Sequence, residues 1–355
     1  MTGPMTGRSD GKRMEIGLYT FANITADPHT GQAVSVPQRY RELLALARLA
    51  EDAGLEVFGA GEHHRLDLAI SSPAVLLAAI GASTRRIRLL SAVTILSTLD
   101  PVRVFEDFAT ADLCSSGRVE LIVGRGAFTE SFPLFGYDAA DCDAVFAEHL
   151  ELLLQLNRSE RVSWQGRFRA PLADAPISPR PQQPELPIWL GVGGTPESAE
   201  RAARLGLPLT LANITQPPAK FAPQIARYRE LGQAAGHPPE RLRVAVAGHL
   251  HLARDSQQAR ERFYPQYSAY FRQHAPKASY ALEVPRETFD QRAAPTGPLF
   301  VGSPQEIVDK ISYERELFGH ERFLAQIDLG AQPFAVQAEI IELLATEVAP
   351  ALRRP

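Results

Sequence analysis

The chain has 355 residues, 45% of them hydrophobic, which is enough for one large domain or two small ones with a sizeable core. A formal net charge of -4 provides no basic field for nucleic acid, and the densest apolar run, Ala74–Ala82, falls far short of the roughly 20 residues of a membrane helix. Two cysteines, Cys114 and Cys142, without metal-type spacing argue against a disulfide framework and for a reducing compartment.

Residues 1–13 are polar and Gly-rich with no apolar stretch, so they read as a flexible tail, not a signal peptide. A single domain is expected over 14–355, in a cytoplasmic protein. Strand-like and helix-like segments then alternate. Glu15–Phe21 is a strand and Pro37–Ala53 a helix stopped by Gly54. Glu56–Ala60 is followed by the helix Pro73–Ser83, Ile87–Ile95 by Pro101–Cys114, and Val119–Val123 by Asp141–Asn157. From Ser159 to Pro187 the chain is too proline-rich for a helix or central strand, with room for one small hairpin around Trp164-Gln165-Gly166. The alternation resumes with Pro187–Val192 and Pro196–Leu205, Leu207–Ala212 and Pro218–Ala235, then Arg243–Leu252 and Gln257–Arg272. A second irregular stretch covers Gln273–Gly302. The helix Pro304–Phe318, an eighth strand Arg322–Asp328 and a last helix Pro333–Val348 close the series. Eight such units predict an α/β fold, a (β/α)8 TIM barrel with insertions before strand 5 and between strands 7 and 8. An open doubly wound sheet would carry a phosphate loop at the first strand-helix turn, and Thr20–Val36 has no Gly-x-Gly-x-x-Gly.

In a barrel of this kind function gathers where the strands end. Gly61-Glu62-His63-His64 follows the second strand, Gly124-Arg125-Gly126 the fourth, and Gly193-Gly194-Thr195-Pro196-Glu197-Ser198 the fifth. The last combines two glycines with a helix start, an anion-binding arrangement, and an arginine at a neighbouring strand end suits a phosphate. Adjacent histidines on an extended segment point to opposite sides, so one of His63 and His64 faces the site as an acid-base group. His249 and His251 share one side of the seventh strand, as a polar layer or, in a metal-dependent hydrolase with Glu62 and His63, as ligands. Spacing completes no ligand set, and no metal is expected.

The ordered series Gly61-Glu62-His63-His64, Asp100-Pro101-Val102-Arg103 with Glu106-Asp107, Ser116-Gly117-Arg118 leading into Gly124-Arg125-Gly126, Phe135-Gly136, Gly206-Leu207-Pro208-Leu209 and Gly302-Ser303-Pro304 resembles the bacterial-luciferase-like flavin-dependent monooxygenases. The resemblance implies a TIM barrel, usually a homodimer, using O2 and reduced FMN (FMNH2) from a separate flavin reductase to oxygenate a small or medium organic substrate through a flavin C4a-(hydro)peroxide. It places His63 as the catalytic histidine with Glu62 in support. Arg125, Gly193, Gly194, Thr195 and Ser198 would hold the FMN phosphate. Ala92 and Val93 would line the flavin ring through a cis peptide, with Gly124, Ala127 and Asn213 completing the cofactor contacts. Gly124, Asn213 and Asp100 depart from luciferase itself and argue against light emission. Relatives using the deazaflavin F420 leave a hydride-transfer alternative, and a non-catalytic flavin binder is a further one. Residues 273–302 correspond to a lid, made adhesive by Tyr280, Phe289 and Phe300. Phe21, Phe128, Phe132 and Phe135 are candidates for an apolar substrate pocket. A Gly-rich opening without further basic residues argues against a highly anionic substrate.

Overall fold

The computed structural model describes residues 13–126, 128–274 and 284–353. Residues 1–12 of the expected tail, Ala127, and Tyr280 of the expected lid lie outside the described residues. Eight parallel strands run in sequence order around a ring: β1 (Glu15–Thr20), β2 (Val57–Ala60), β3 (Arg88–Ile95), β4 (Val119–Gly124), β5 (Ile188–Val192), β6 (Leu209–Ala212), β7 (Val244–Leu252) and β8 (Arg322–Gln326). β6 joins β7 with Thr210 opposite Ala245, and β8 returns to β1 with Leu324 opposite Gly17, so the sheet closes. The strands carry near-continuous Val, Ile, Leu and Ala because helices cover their outer side and side chains fill the inside.

The covering helices begin and end where local chemistry dictates. Ser35 accepts a hydrogen bond from the Gln38 amide at the start of Val36–Asp52, and Leu43, Leu46, Ala47 and Ala50 form its buried stripe. Ser303 and Glu306 form a reciprocal capping box at the start of Pro304–Phe318.

Both predicted insertions are present, the first with the expected hairpin and the second with more structure than expected. The first carries a hairpin, Arg161–Trp164 against Leu172–Pro176, outside the barrel. In the second, the helix Ser256–His274 is followed by a helix Arg286–Ala293 and a short strand Phe300–Gly302 that pairs with the end of β7. Phe289 and Phe300 are fully buried there, so they belong to the core and not to a lid surface. The helix Arg286–Ala293 escapes sequence periodicity because it is short and polar. It is held by Phe289 and Ala293 packing on Phe263 and Tyr267.

At the end of the barrel opposite the site, Arg322 donates to Glu120 at 2.6 and 3.2 Å and to Glu15 at 2.7 Å. Trp189 donates its indole N–H to Glu120 at 3.0 Å, and Arg88 also pairs with it. These cations hold the buried Glu120 carboxyl down at about 2 despite desolvation, which opposes them. Glu120 therefore stabilises the fold above the ordinary glutamate range, and that contribution is lost as pH falls through about 2. Glu120→Ala leaves Arg322 buried without its main partner. Chemical denaturation at neutral pH is expected to show a loss of about 3–5 kcal/mol.

Candidate active site

Beyond β2 the chain stays extended through Gly61–His64. A Cβ on Gly61 would come within 2.4 Å of the Phe21 ring and 2.6 Å of the Ala92 carbonyl oxygen, so glycine is what lets this segment lie between β1 and β3. The Ala92–Val93 peptide beside it is cis, as the family resemblance implies. Glu62 straddles that peptide. Its amide donates to the Val93 carbonyl at 3.1 Å, and its buried carboxylate accepts from the Ile95 amide at 3.0 Å. The same carboxylate holds His64 through Nε2 at 2.9 Å. Glu62 thus spends its acceptor capacity on position, joining the β2 end to β3.

His63 takes a different direction. Its ring lies between Phe21 at 4.2 Å and Phe128 at 5.5 Å and borders the central cavity. His64 diverges from it toward Glu62 and an edge contact with Phe135, while still bordering the cavity.

Two further strand ends meet at Arg125. Its guanidinium reaches Thr195 Oγ1 at 3.3 Å and Ser198 Oγ at 3.5 Å, at the start of the helix Pro196–Leu205. Thr195 occupies the N-cap position, yet its hydroxyl meets Ser198 at 2.9 Å instead of capping a helix amide. Gly194 turns the chain with a φ of 109°, and nothing lies within 4 Å of where a Gly193 Cβ would stand. Arg125 is balanced by Asp143, a partner sequence spacing does not reveal. Arg201 was also missed. Burial, and then repulsion from Arg125, pull its guanidinium below the ordinary arginine range.

The cavity at this end of the barrel holds about 710 Å³. Val93, Ile122, Gly191, Ala212 and Ala247 give it an apolar floor, and Gly124, Arg125 and Gly193 form its border toward the cradle at Thr195 and Ser198. Phe21 and Phe128 face it, whereas Phe132 is buried elsewhere and Phe135, 40% exposed, packs edge-on against His64.

Asn213 requires a correction. Side chains alternate along the end of β6, and Ala212 and Ile214 are the ones that line the cavity. The Asn213 amide instead donates to Glu314 at 2.9 Å, in a buried contact behind the strand. Burial pushes the Glu314 carboxyl up to about 7 in spite of that bond. His249 borders the cavity, while His251 stacks on Phe263 and meets Gln332 at 3.0 Å. Burial holds both imidazoles down at about 3. Among the described residues no three His, Cys, Asp or Glu side chains converge as a metal site would need. Asp100 caps the helix Pro101–Cys114, accepting from the amides of Val102 and Arg103. Among the described residues no helix is long and apolar enough to cross a membrane.

The sequence model of the family described as luciferase-like monooxygenase matches residues 14–321. The chain belongs to that family. Among curated luciferase-like relatives it is 32% identical over 185 residues to the N-acetyl-S-alkylcysteine monooxygenase of Bacillus subtilis, across 51% of this chain and 53% of that one. The chain spans about half the length of the first curated relatives it matches. Over 95% of both chains it is 23% identical to the oxygenase component of the flavin-dependent trigonelline monooxygenase of Acinetobacter baylyi. The monooxygenase RslO1 from Streptomyces bottropensis superposes with a TM-score of 0.82 at 27% identity, covering 95% of this chain and 99% of that one. The fold is shared with the FMN-bound 3,6-diketocamphane monooxygenase of Pseudomonas putida, at a TM-score of 0.75, 19% identity, and 95% and 98% coverage. An F420-dependent secondary alcohol dehydrogenase has the same fold, at 0.74 and 17% identity, over 96% and 100%.

Proposed function

We propose that the protein is the oxygenase of a two-component flavin system. It takes reduced FMN from a separate reductase and uses O2 to oxygenate a small or medium organic substrate. One oxygen atom enters the substrate and the other leaves as water, with the two electrons coming from the reduced flavin. The observation that carries this reading is the cradle at Arg125, Thr195 and Ser198. It stands at a helix start and borders an apolar cavity overlooked by His63.

The donor set fits a flavin monophosphate. A guanidinium, two hydroxyls and an open backbone at Gly193 suit the phosphate, and the helix start favours negative charge. Val93, Ile122 and Ala212 suit the flat, largely apolar ring. Bound there, reduced FMN supplies the electrons that activate O2. Around it Glu62 keeps the β2 and β3 ends in register, His63 holds or moves a proton, and Phe21 and Phe128 keep water from the imidazole.

The test is to titrate the purified protein with FMN, FMNH2 and F420, then supply FMNH2 with 18O2 and a substrate panel. FMNH2 binding at least tenfold tighter than F420, with one labelled oxygen in a product, supports the reading. Preference for F420 with no oxygen incorporation overturns it.

A further inference from the structure

The wall of the cavity on the β7 side carries a charge that the sequence places in an irregular stretch. Arg292, on the helix Arg286–Ala293, borders the cavity, as does His249 from β7. The Arg292 guanidinium donates to the Tyr267 hydroxyl at 2.9 Å and lies 5.5 Å from the Phe271 ring centre. His249 sits among Tyr267, Tyr270 and Phe271, with ring centres 6.1–6.4 Å away, and is only 2% exposed.

The three arginines of the cavity differ in one respect. Arg65 is paired with Asp67 and Glu130, and Arg125 with Asp143. No carboxylate among the described residues forms an ion pair with Arg292, whose polar contact is the neutral Tyr267 hydroxyl. His249 Nδ1, buried beside it, has no hydrogen-bond partner among the described residues. A half-buried guanidinium gains by meeting an acceptor, and its fork matches the two oxygens of a carboxylate. The charge of Arg292 helps burial to keep His249 neutral, so the pair presents one positive charge and complements a monoanion.

Phe21, Ile95, Phe128, Phe271 and Leu324 give the chamber an apolar and aromatic wall, while Arg65 and Glu130, paired with each other, also border it. On β4 and β5 the phosphate cradle occupies a different part of the ring from β7, so the two charged ends do not compete for one ligand.

We propose that Arg292, with the neutral His249 near it, forms the carboxylate-binding end of the substrate site, so that the protein takes organic monocarboxylic acids with an apolar or aromatic body. The assignment of this cavity to substrate rests on the flavin monooxygenase reading, whereas the recognition of a carboxylate by Arg292 does not. Arg292 acts here as a specificity residue and takes no part in the redox step.

Equilibrium binding separates the two. The full chain, with and without FMN, is titrated calorimetrically with phenylacetate and octanoate, each compared with its primary amide. The acids are expected to bind at least tenfold tighter than the amides. Arg292→Met is expected to remove that preference while FMN affinity holds, and Arg292→Lys to restore part of it. Acids that bind no better than amides, or a preference that survives Arg292→Met, overturn the proposal. If the preference needs Arg292 but FMN does not bind, the carboxylate site stands and the flavin reading falls.

Discussion

Arg125→Ala is expected to weaken binding of FMN by about 30- to 1,000-fold, equivalent to roughly 2–4 kcal/mol for one partner of a close charge pair. The basis is convergence. Arg125 leaves the end of β4 and meets Thr195 and Ser198 beyond the end of β5, at a helix start where a Gly193 Cβ is absent. Asp143 occupies one side of the guanidinium and is 69% exposed, so solvent can take it over when a phosphate replaces it. Arg201 adds a second positive charge nearby. An arginine here is a fork, so Arg125→Lys should recover the charge but not the paired geometry, giving an intermediate affinity.

The control is riboflavin, which has the ring and lacks the phosphate. Its affinity should be nearly the same in wild type and Arg125→Ala, as measured by quenching of flavin fluorescence. Equal losses for FMN and riboflavin would mean that Arg125 supports the fold of the site and not the phosphate.

The alternation of apolar strands with amphipathic helices made the barrel legible, because each βα unit carries its own periodicity. The strand ends were legible too. Glu62, His63, Arg125 and Thr195 sit within a few residues of a strand terminus, where the fold class directs attention. Three features were not. Asn213 was expected at the cofactor, but whether a residue beyond a strand end faces in or out depends on a one-residue step, and the partner that captures it, Glu314, is 101 positions away. Arg292 was missed because its helix is short and polar, and a stretch without periodicity reads as loop. Asp143 and Arg201 join the Arg125 cluster only through tertiary packing. In each case what decides the geometry is a contact between distant segments.

His63→Gln is expected to lower product formation by about 10²- to 10⁴-fold while leaving FMN affinity within about twofold, the range for removal of a positioned acid-base group. The geometry separates this residue from its neighbours. Glu62 has its carboxylate committed to the Ile95 amide and to His64, so it can hold the loop but has little freedom to shuttle protons. His64 is tied to Glu62. His63 packs against Phe21 and Phe128 and its ring borders the cavity, which makes it the proposed acid-base group. Glutamine keeps a comparable polar shape and cannot titrate near neutrality, so the variant removes the proton function with little loss of packing. Single-turnover reactions with FMNH2, O2 and an accepted substrate should show reduced flavin consumed in full, with hydrogen peroxide accumulating in place of product. His63→Ala should show the same loss plus a weaker hold on the cavity wall, seen as a lower melting temperature. Unchanged product yield in His63→Gln would remove His63 from the chemistry and leave it as an aromatic-packed wall residue.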